Sequence, residues 1–490
     1  MNKYNKRPLY LLISSLLLSG MPAGTLQAEP IYHPSGSKLT FGGMTHRQMT
    51  VSDMGNPAHP ASTPYPEGDN GLYGARLSIG LGIEYDGNDN LFKLLDKTSE
   101  SGSTVPGGDD GSGGSGEDGD TIIPPLLPPL DPAVQEKLDA LIQEVAIAAG
   151  LIAVSVTGLN AKAFISADVP VLISSNKLGA WTFGANVSLT TNLRGLNDPI
   201  NFDVDLAKQT LSDLYAANVP SIQPVTYNLT GGASVTVNPD GTTKFRFDNN
   251  SGVITKAAQI TEISIGYSRK VWQQEDNKVY LGIKPKYYDV GLSNTAVPIA
   301  DIENAKTIFD ALDKSNFSYQ QDFGIDLGAI WSGKQYQLGA TLTNLNEPNF
   351  QYPASDLSGF TNPIIINLIR DSEKYVMQRQ LKFDGGYITS NGAWGISFGL
   401  DANPVPDPMG DDYQWASVGA GFASDSWWLP GARVGLRKNM AGTRLMYVTA
   451  GVTVFNIVNL DLAATTQTIQ VNGRTVPRGL IANLGVQVLI

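Results

Sequence analysis

The strongest constraint on the fold is an alternation of apolar and polar residues that recurs along most of the chain. Ala75–Asp86, Trp181–Thr190 and Asp322–Trp331 each place apolar side chains at every second position, with small or polar residues between them. Side chains of a β-strand point to opposite faces in turn, so this period predicts strands with one apolar face. Similar patterns occupy Ile263–Ser268, Tyr336–Thr343, Trp394–Asp401, Met446–Val454, Val458–Leu462 and Leu484–Ile490.

The polar faces of these strands carry mostly Gly, Ser, Thr and Asn, and charged residues make up only 16% of the chain. A soluble β-sandwich would place Lys, Glu and Arg there, whereas small residues suit the confined interior of a barrel whose apolar face meets lipid. Tryptophans lie near segment ends, as in the girdles of membrane barrels: Trp181, Trp272, Trp331, Trp394, Trp427 and Trp428. We therefore predict an all-β fold, a transmembrane antiparallel barrel of about 14 to 16 strands over residues 73–490, with a soluble sandwich as the alternative.

The first 28 residues have the features of a secretory signal peptide. Lys3, Lys6 and Arg7 precede a short apolar run, Leu9–Leu18, and Ala28 is a suitable last residue before cleavage. The alternative is an uncleaved anchor, which would need roughly 20 apolar residues. We expect residues 1–28 to be removed and the mature barrel to lie in an outer membrane, with lipid as a partner.

Two stretches depart from the strand pattern. Thr98–Pro132 is a Gly/Ser/Asp tract followed by prolines, and it has the composition of a solvated linker. Asp131–Ala149 is the best helix candidate, because Asp131 can cap it and its apolar residues fall on one stripe. We expect this helix, within residues 131–150, to lie in a long loop, either on the surface or packed on the barrel as a plug. Asp203–Ala217 is a weaker helix candidate.

Composition and motifs argue against catalysis. The chain has no cysteine, so it can form no disulfide or thiolate metal site, and its net charge of −12 disfavours nucleic-acid binding. All three histidines (His33, His46 and His59) precede the first clear strand, which gives no reason to expect a metal centre. Gly395–Gly399 fits the G-x-S-x-G form of hydrolases, but it lies within an alternating strand and no histidine follows it. We predict no enzyme activity, no cofactor and no metal.

Charged residues on the predicted inner faces are the better functional clue. Facing lipid, they would cost a few kcal/mol each near the midplane of the bilayer. They are expected either to line a polar pore or to pair across the lumen and close it. The candidates are Arg76, Glu84, Asp322, Asp326, Asp401, Arg433, Arg437 and Asp461.

Several local patterns resemble one family, the outer-membrane TraF-like proteins of conjugal-transfer operons, which are distant relatives of the FadL-type channels for hydrophobic compounds. Phe41-Gly42-Gly43 followed by Asn56-Pro57-Ala58 resembles the entry segment of such barrels. Leu281–Tyr287, Leu338–Phe350 and Ala432–Asn439 resemble later strands and corners, as does Leu460–Ala463. The chain departs from the family pattern in its Gly/Ser/Asp insertion, in its final Ile490, and in a loosened entry at Phe41–Thr45.

The resemblance implies a fold and a role. In FadL-like barrels the segment before the first strand sits inside the lumen, so residues 29–72 would form that segment here, with Asn56-Pro57-Ala58 as its turn. The alternative is a disordered N-terminal tail. The leading functional hypothesis is a structural or assembly component of a conjugal DNA-transfer system, with transfer-apparatus proteins as partners. The runner-up is a FadL-like channel for a hydrophobic small molecule, and a third class is a surface adhesin or receptor.

Overall fold

The alternating segments pair with their neighbours into one closed antiparallel β-barrel of 14 strands, which confirms the predicted fold class. The computed structural model describes residues 37–41, 55–63, 72–86, 159–175, 177–198, 206, 209, 223–228, 233–237, 243–247, 250–299, 313, 316–424, 426, 428–471 and 474–489. The barrel strands are β1 (Leu72–Asp86), β2 (Asn160–Ser175), β3 (Gly179–Leu196), β4 (Gly252–Gln274), β5 (Asn277–Pro298), β6 (Ser318–Ser332), β7 (Tyr336–Thr343), β8 (Gln380–Ile388), β9 (Trp394–Asp401), β10 (Trp415–Phe422), β11 (Gly431–Asn439), β12 (Met446–Val454), β13 (Val458–Thr465) and β14 (Gly479–Leu489). The barrel therefore begins one residue before the predicted boundary.

The barrel closes where its first strand meets its last. β1 pairs with β14 in an antiparallel register that sets Gly74 opposite Leu489 and Glu84 opposite Gly479. Each of the other strands pairs with the neighbours that precede and follow it in the barrel. Closure of this kind leaves no strand of the barrel with an open edge, which a span through hydrocarbon requires.

The two faces of the strands have opposite surroundings. On β1, Leu77 is 44% exposed on the outer face, whereas its neighbours Arg76 and Ser78 are 5% and 1% exposed on the inner face. Large apolar side chains are exposed in the same way on the other strands, including Ile265, Leu281, Phe323, Val434 and Leu462. A continuous exposed apolar surface around a closed barrel is a lipid-facing surface.

The lengths of the connections give the barrel its orientation. The turns at the end where β1 begins and β14 finishes are short, such as residues 176–178, 275–276 and 455–457. The connections at the opposite end are mostly longer, such as residues 87–159 and 344–379. Short turns face the periplasm in outer-membrane barrels and longer loops face outward, so both ends of the barrel sequence lie at the periplasmic rim.

Smaller elements do not form part of the barrel wall. Two short helices precede it, α1 (Lys38–Phe41) and α2 (His59–Ser62), and a third lies in a long loop, α3 (Pro363–Asp371). Val225–Asn228, Ala233–Val237 and Thr243–Phe247 form a three-stranded sheet with Ala233–Val237 at its centre. Three further pairs of short strands are Asn349–Gln351 with Lys374–Val376, Val405–Pro406 with Asp412–Tyr413, and Thr468–Val471 with Arg474–Pro477. Among the described helices, none is both long and apolar enough to cross a bilayer.

Several predictions fall on residues outside the described ranges. These are the signal peptide, the linker Thr98–Pro132, the helix Asp131–Ala149, and Ile490. Of the weaker candidate Asp203–Ala217, only Leu206 and Gln209 are described, and both are helical.

Candidate functional site

The lumen of the barrel contains parts of the N-terminal segment. Leu39, Thr40 and Phe41 of α1 are almost fully buried, and Ser397 Oγ on β9 donates a hydrogen bond to the carbonyl oxygen of Phe41. The fit to the wall depends on Gly435 of β11, where an added Cβ would lie 2.3 Å from the carbonyl oxygen of Thr40. Ser397, the serine of the G-x-S-x-G match, therefore anchors this segment from within a strand.

The turn Asn56-Pro57-Ala58 lies against the opposite part of the wall. Asn56 Oδ1 accepts a hydrogen bond of 2.9 Å from the backbone N–H of Ala58, which closes an Asx turn. Asn56 Nδ2 donates bonds of 3.3 Å to the carbonyl oxygens of Ala329 on β6 and Ala340 on β7. The side chain thus shapes its own turn and also ties that turn to two barrel strands.

Helix α2 extends this attachment toward β4 and β7. The backbone N–H of Ala61 donates to Ser268 Oγ at 3.1 Å, and Gln337 Nε2 donates to Ser62 Oγ at 2.9 Å. His59 is 1% exposed. Among the described residues, no group of three or more His, Cys, Asp or Glu is placed to hold a metal ion.

Four of the eight predicted inner-face charges, Arg76, Asp326, Arg433 and Asp461, are buried in ion pairs. Arg433 Nε and Nη2 donate to the two carboxylate oxygens of Asp461 at 2.8 and 2.6 Å, and both side chains are nearly inaccessible. Arg76 pairs with Asp168 on the neighbouring strand. Asp326 is 2.5 Å from Lys286 Nζ and accepts a 2.9 Å bond from the backbone N–H of Asn344.

The remaining predicted charges lie toward the extracellular end. Glu84 accepts hydrogen bonds from the hydroxyls of Tyr413, at 3.0 Å, and Tyr447. Asp401 accepts a 2.8 Å bond from the backbone N–H of Trp415, whose ring lies 4.1 Å from the guanidinium carbon of Arg437.

Asp322 differs from the other predicted charges because it is only half-buried. Its carboxylate accepts bonds from the backbone N–H groups of Phe323 and Asn349 at 2.8 and 3.2 Å. It thus fastens the short strand Asn349–Gln351 to the rim rather than lining the deep lumen.

The extracellular mouth is closed by a loop that folds inward. We call residues 402–414 the cap. Lys162 Nζ on β2 pairs with Asp407 and, at 2.6 Å, with Asp411, and Arg194 on β3 pairs with Asp411 at 2.5 Å. Gly410 adopts a φ of +88°, the left-handed region that favours glycine, in the turn between the two aspartates.

The pKa values of the two cap carboxylates are shifted in opposite directions. Burial raises the pKa of Asp407 above its ordinary value. Burial also acts to raise the pKa of Asp411, but the charges of Lys162 and Arg194 outweigh that effect and hold this pKa below its ordinary value. Asp411 therefore stays ionised near neutral pH, which keeps the two cations of the wall bound to the cap.

Side chains of the cap, including Met409 and Tyr413, pack among aromatic side chains of the wall and of a neighbouring loop. Trp415 lies 5.7 Å from Tyr413 and 6.1 Å from Tyr447, ring centroid to ring centroid. Tyr352 donates a 2.6 Å hydrogen bond to the carbonyl oxygen of Pro408, and Met409 is 2% exposed. The cap is therefore a packed, hydrogen-bonded plug of the mouth.

A cavity of about 60 Å³ lies between the N-terminal segment and the wall of β1 to β5. Its lining includes Lys38, Arg76, Asp168, Glu262 and Lys284. An apolar cavity that binds benzene measures roughly 150 Å³, whereas a water molecule occupies roughly 30 Å³. This cavity has the size and polarity for a few waters, not for a hydrocarbon.

Several charges of the interior were not among the predicted inner-face residues. Lys284 and Lys286 share the inner face of β5 because Leu281 and Ile283 point outward, and that alternation was readable from the sequence. The pairing of Lys162 with Asp407 and Asp411 had no such signal, since 245 residues separate Lys162 from Asp407.

The model of one protein family, described as "F plasmid transfer operon, TraF, protein", matches residues 53–401. The chain belongs to this family. The matched region runs from just before the Asn56 turn to the end of β9, so it includes the buried turn and more than half of the barrel strands.

Solved structures similar to this TraF-family chain include a hydrocarbon channel, a toluene transporter and a FadL homologue. A monoaromatic hydrocarbon channel, the TodX deltaS2S3 mutant, is 9% identical, with coverage of 94% of this chain and 98% of that one and a TM-score of 0.40. The Ralstonia pickettii toluene transporter TbuX is 11% identical with the same coverage and a TM-score of 0.38. A Pseudomonas aeruginosa FadL homologue is 12% identical over 95% and 99% of the chains, with a TM-score of 0.31. No curated protein sequence matches this one at a significant level.

Proposed function

We propose that this protein is an outer-membrane component of a conjugal DNA-transfer system, with a structural or assembly role and no chemistry of its own. The family match over residues 53–401 carries the proposal, because the family is described by a transfer operon. The described parts of the N-terminal segment support it, because they are hydrogen-bonded to the inner wall, and the cap is tied to the same wall by ion pairs. A lumen that holds parts of its own chain suits a scaffold better than an open passage.

The role requires protein partners, and we expect these to belong to the transfer apparatus. The barrel offers them its short periplasmic turns and its longer extracellular loops, and direct contact with the transferred DNA is not expected from a chain of net charge −12. A photo-crosslinking residue at Leu178, which is 72% exposed on a periplasmic turn, would report the periplasmic partners in donor cells. Recovery of transfer-apparatus proteins supports the role, and recovery of lipid alone counts against it.

The deciding experiment is mating frequency from a donor that lacks the gene and is then complemented. A large loss that the intact gene restores places the protein in the transfer pathway, and an unchanged frequency refutes the proposal. Two variants then ask whether the lumen turn matters. Asn56→Ala removes the buried Asx turn, whereas the matched control Asn391→Ala removes an exposed one, in which Asn391 Oδ1 accepts a 3.1 Å bond from Ala393. We expect only Asn56→Ala to reduce mating.

The alternative function is a FadL-like channel for a hydrophobic small molecule. A channel of this kind needs an apolar pocket within the barrel, and the 60 Å³ cavity described above is polar. Trp415 lies under the cap, where a ligand in transit would pass it. Saturable quenching of tryptophan fluorescence by an added fatty acid or aromatic hydrocarbon, lost in Trp415→Phe, would favour the channel over the scaffold.

A further inference from the structure

Five basic residues form a patch on one half of the periplasmic rim. We define this basic patch as Lys177, Arg269, Lys270, Lys278 and Lys334. They lie in the short turns or at the strand ends of β2 to β7, which are consecutive neighbours in the barrel. Two carboxylates, Glu275 and Asp276, occupy the tip of the β4–β5 hairpin within the patch, so its net charge is +3 (5 − 2).

Hydrogen bonds between adjacent turns make the patch continuous. Tyr267 donates a 3.2 Å bond to the carbonyl oxygen of Leu178, which joins the β2–β3 turn to β4. Tyr336 donates a 2.6 Å bond to Asn277 Oδ1, which joins the β6–β7 turn to the β4–β5 turn. The cations of three separate turns are thus held on one surface.

Aromatic side chains lie directly beside these cations. Trp181 and Tyr267 have ring centroids 4.8 Å apart, and Trp331 and Tyr336 have centroids 5.8 Å apart with perpendicular rings. Trp272 is 45% exposed two residues after Lys270. Exposed tryptophan and tyrosine mark the level of the lipid headgroups, so the cations lie at that level too.

The other half of the rim has a different character. In the sequences of the connections 389–393, 423–430 and 455–457 there is no Lys or Arg, and Asp425 is the one charged residue. Trp394 is 57% exposed there, so this half keeps the aromatic girdle without the cations. Both halves of the rim therefore lie at the membrane interface, but only one carries the cations. The interfacial position alone does not explain the basic patch.

We propose that the basic patch binds the phosphates of anionic phospholipids in the periplasmic leaflet. Clustered Lys and Arg beside a membrane attract anionic headgroups, with a gain of about fivefold in affinity per cation near the surface. The rings beside the cations rest at the headgroup boundary and fix the depth of the cations, which favours a lipid over a periplasmic protein as the occupant. This inference is independent of the transfer role.

The test uses the full mature barrel in vesicles of phosphatidylcholine with added brominated phosphatidylglycerol or brominated phosphatidylcholine. Bromine quenches a tryptophan only on contact, so single-tryptophan variants that retain Trp272 or Trp394 report the two halves of the rim separately. We expect phosphatidylglycerol to be preferred about fivefold or more at Trp272 and to show no preference at Trp394. Raising the salt to about 0.5 M should abolish the preference, because it screens exposed charges.

Charge variants complete the experiment. Changing all five cations of the basic patch to glutamine should remove the preference at Trp272. The matched control changes four exposed extracellular cations, Arg370, Lys374, Lys438 and Arg444, and should leave the preference intact. If the five-residue variant does not fold, the salt titration of the unmodified rim decides the matter alone. Equal binding of both lipids at Trp272, or an equal preference at Trp394, overturns the proposal and leaves an acidic periplasmic protein as the occupant to test next.

Discussion

Replacing Gly282 with alanine tests whether the wall of the barrel holds the Asn56 turn. A Cβ at Gly282 would lie 2.2 Å from both the carbonyl carbon and the oxygen of Pro57. Non-bonded carbon atoms need roughly 3.5 Å, so the turn must retreat by about 1.3 Å from the Cβ at 2.2 Å. That shift breaks the 3.3 Å hydrogen bonds from Asn56 to Ala329 and Ala340.

The cost follows from those lost bonds. Each contributes roughly 1 kcal/mol net, so detachment of the turn becomes easier by about 2 kcal/mol. Since about 1.4 kcal/mol is a factor of ten, the detached population should rise about 30-fold. The barrel itself should remain folded, because its strand pairing does not involve the turn.

A single thiol can report that population. The chain has no cysteine, so the Ser62→Cys variant carries a single thiol, on α2. In the unmodified protein the Ser62 hydroxyl accepts a 2.9 Å hydrogen bond from Gln337 of the wall. Maleimide labelling should be about 30-fold faster when Gly282→Ala is added. The control Gly485→Ala introduces a Cβ whose nearest neighbour is a side-chain carbon of Ser78 at 3.2 Å, and labelling should stay within about twofold. Equal rates with Gly282→Ala, in a barrel that still resists SDS before boiling, would refute the reasoning.

Three further outcomes are expected. Asp461→Asn leaves its partner Arg433 buried without a counter-charge, which should lower the free energy of unfolding by about 3–5 kcal/mol. The temperature at which the barrel loses SDS resistance should therefore fall, and an unchanged temperature would contradict this. Lys162→Met leaves Asp407 and Asp411 without their shared cation, so added protease should cleave the cap at least about tenfold faster. The folded pKa of Asp411 lies below its unfolded value, so the stabilisation from this residue is present above about pH 4 and is lost as the pH falls through the folded pKa. Protease sensitivity of the cap should accordingly rise only in strong acid, and Asp411→Asn should remove that pH dependence.

The fold was predictable because alternation is a local property of the sequence. Ala75–Asp86, Tyr336–Thr343 and Trp394–Asp401 all lie within observed strands, and the strand count follows from how often the pattern recurs. Outer-face residues such as Leu77 are exposed because they meet lipid, and inner-face residues such as Arg76 are buried because the lumen is filled. The same period therefore predicted both the strands and their two faces.

The partners of the inner charges were harder to predict. Arg433 and Asp461 were both identified, but their pairing depends on the registers of β11, β12 and β13. Asp322 has the same alternation as Asp326 and yet lies at the mouth, because it is four residues closer to the extracellular end of β6. The face to which a side chain points depends on whether its position in the strand is odd or even. Its depth in the barrel depends on how far each strand is staggered relative to its neighbours.

The sequence alone determined a barrel of alternating strands, its lipid-facing surface and the charges of its inner faces. Its residue pattern did not determine what lies in the lumen, which only the family resemblance indicated. The Asn56 turn meets Ala340 across 284 residues, and Lys162 meets Asp407 across 245. Such contacts leave no periodic signal, because they form only after closure brings distant strands and loops around one interior. Strand pattern is a property of neighbours along the chain, while the closed lumen belongs to the tertiary structure.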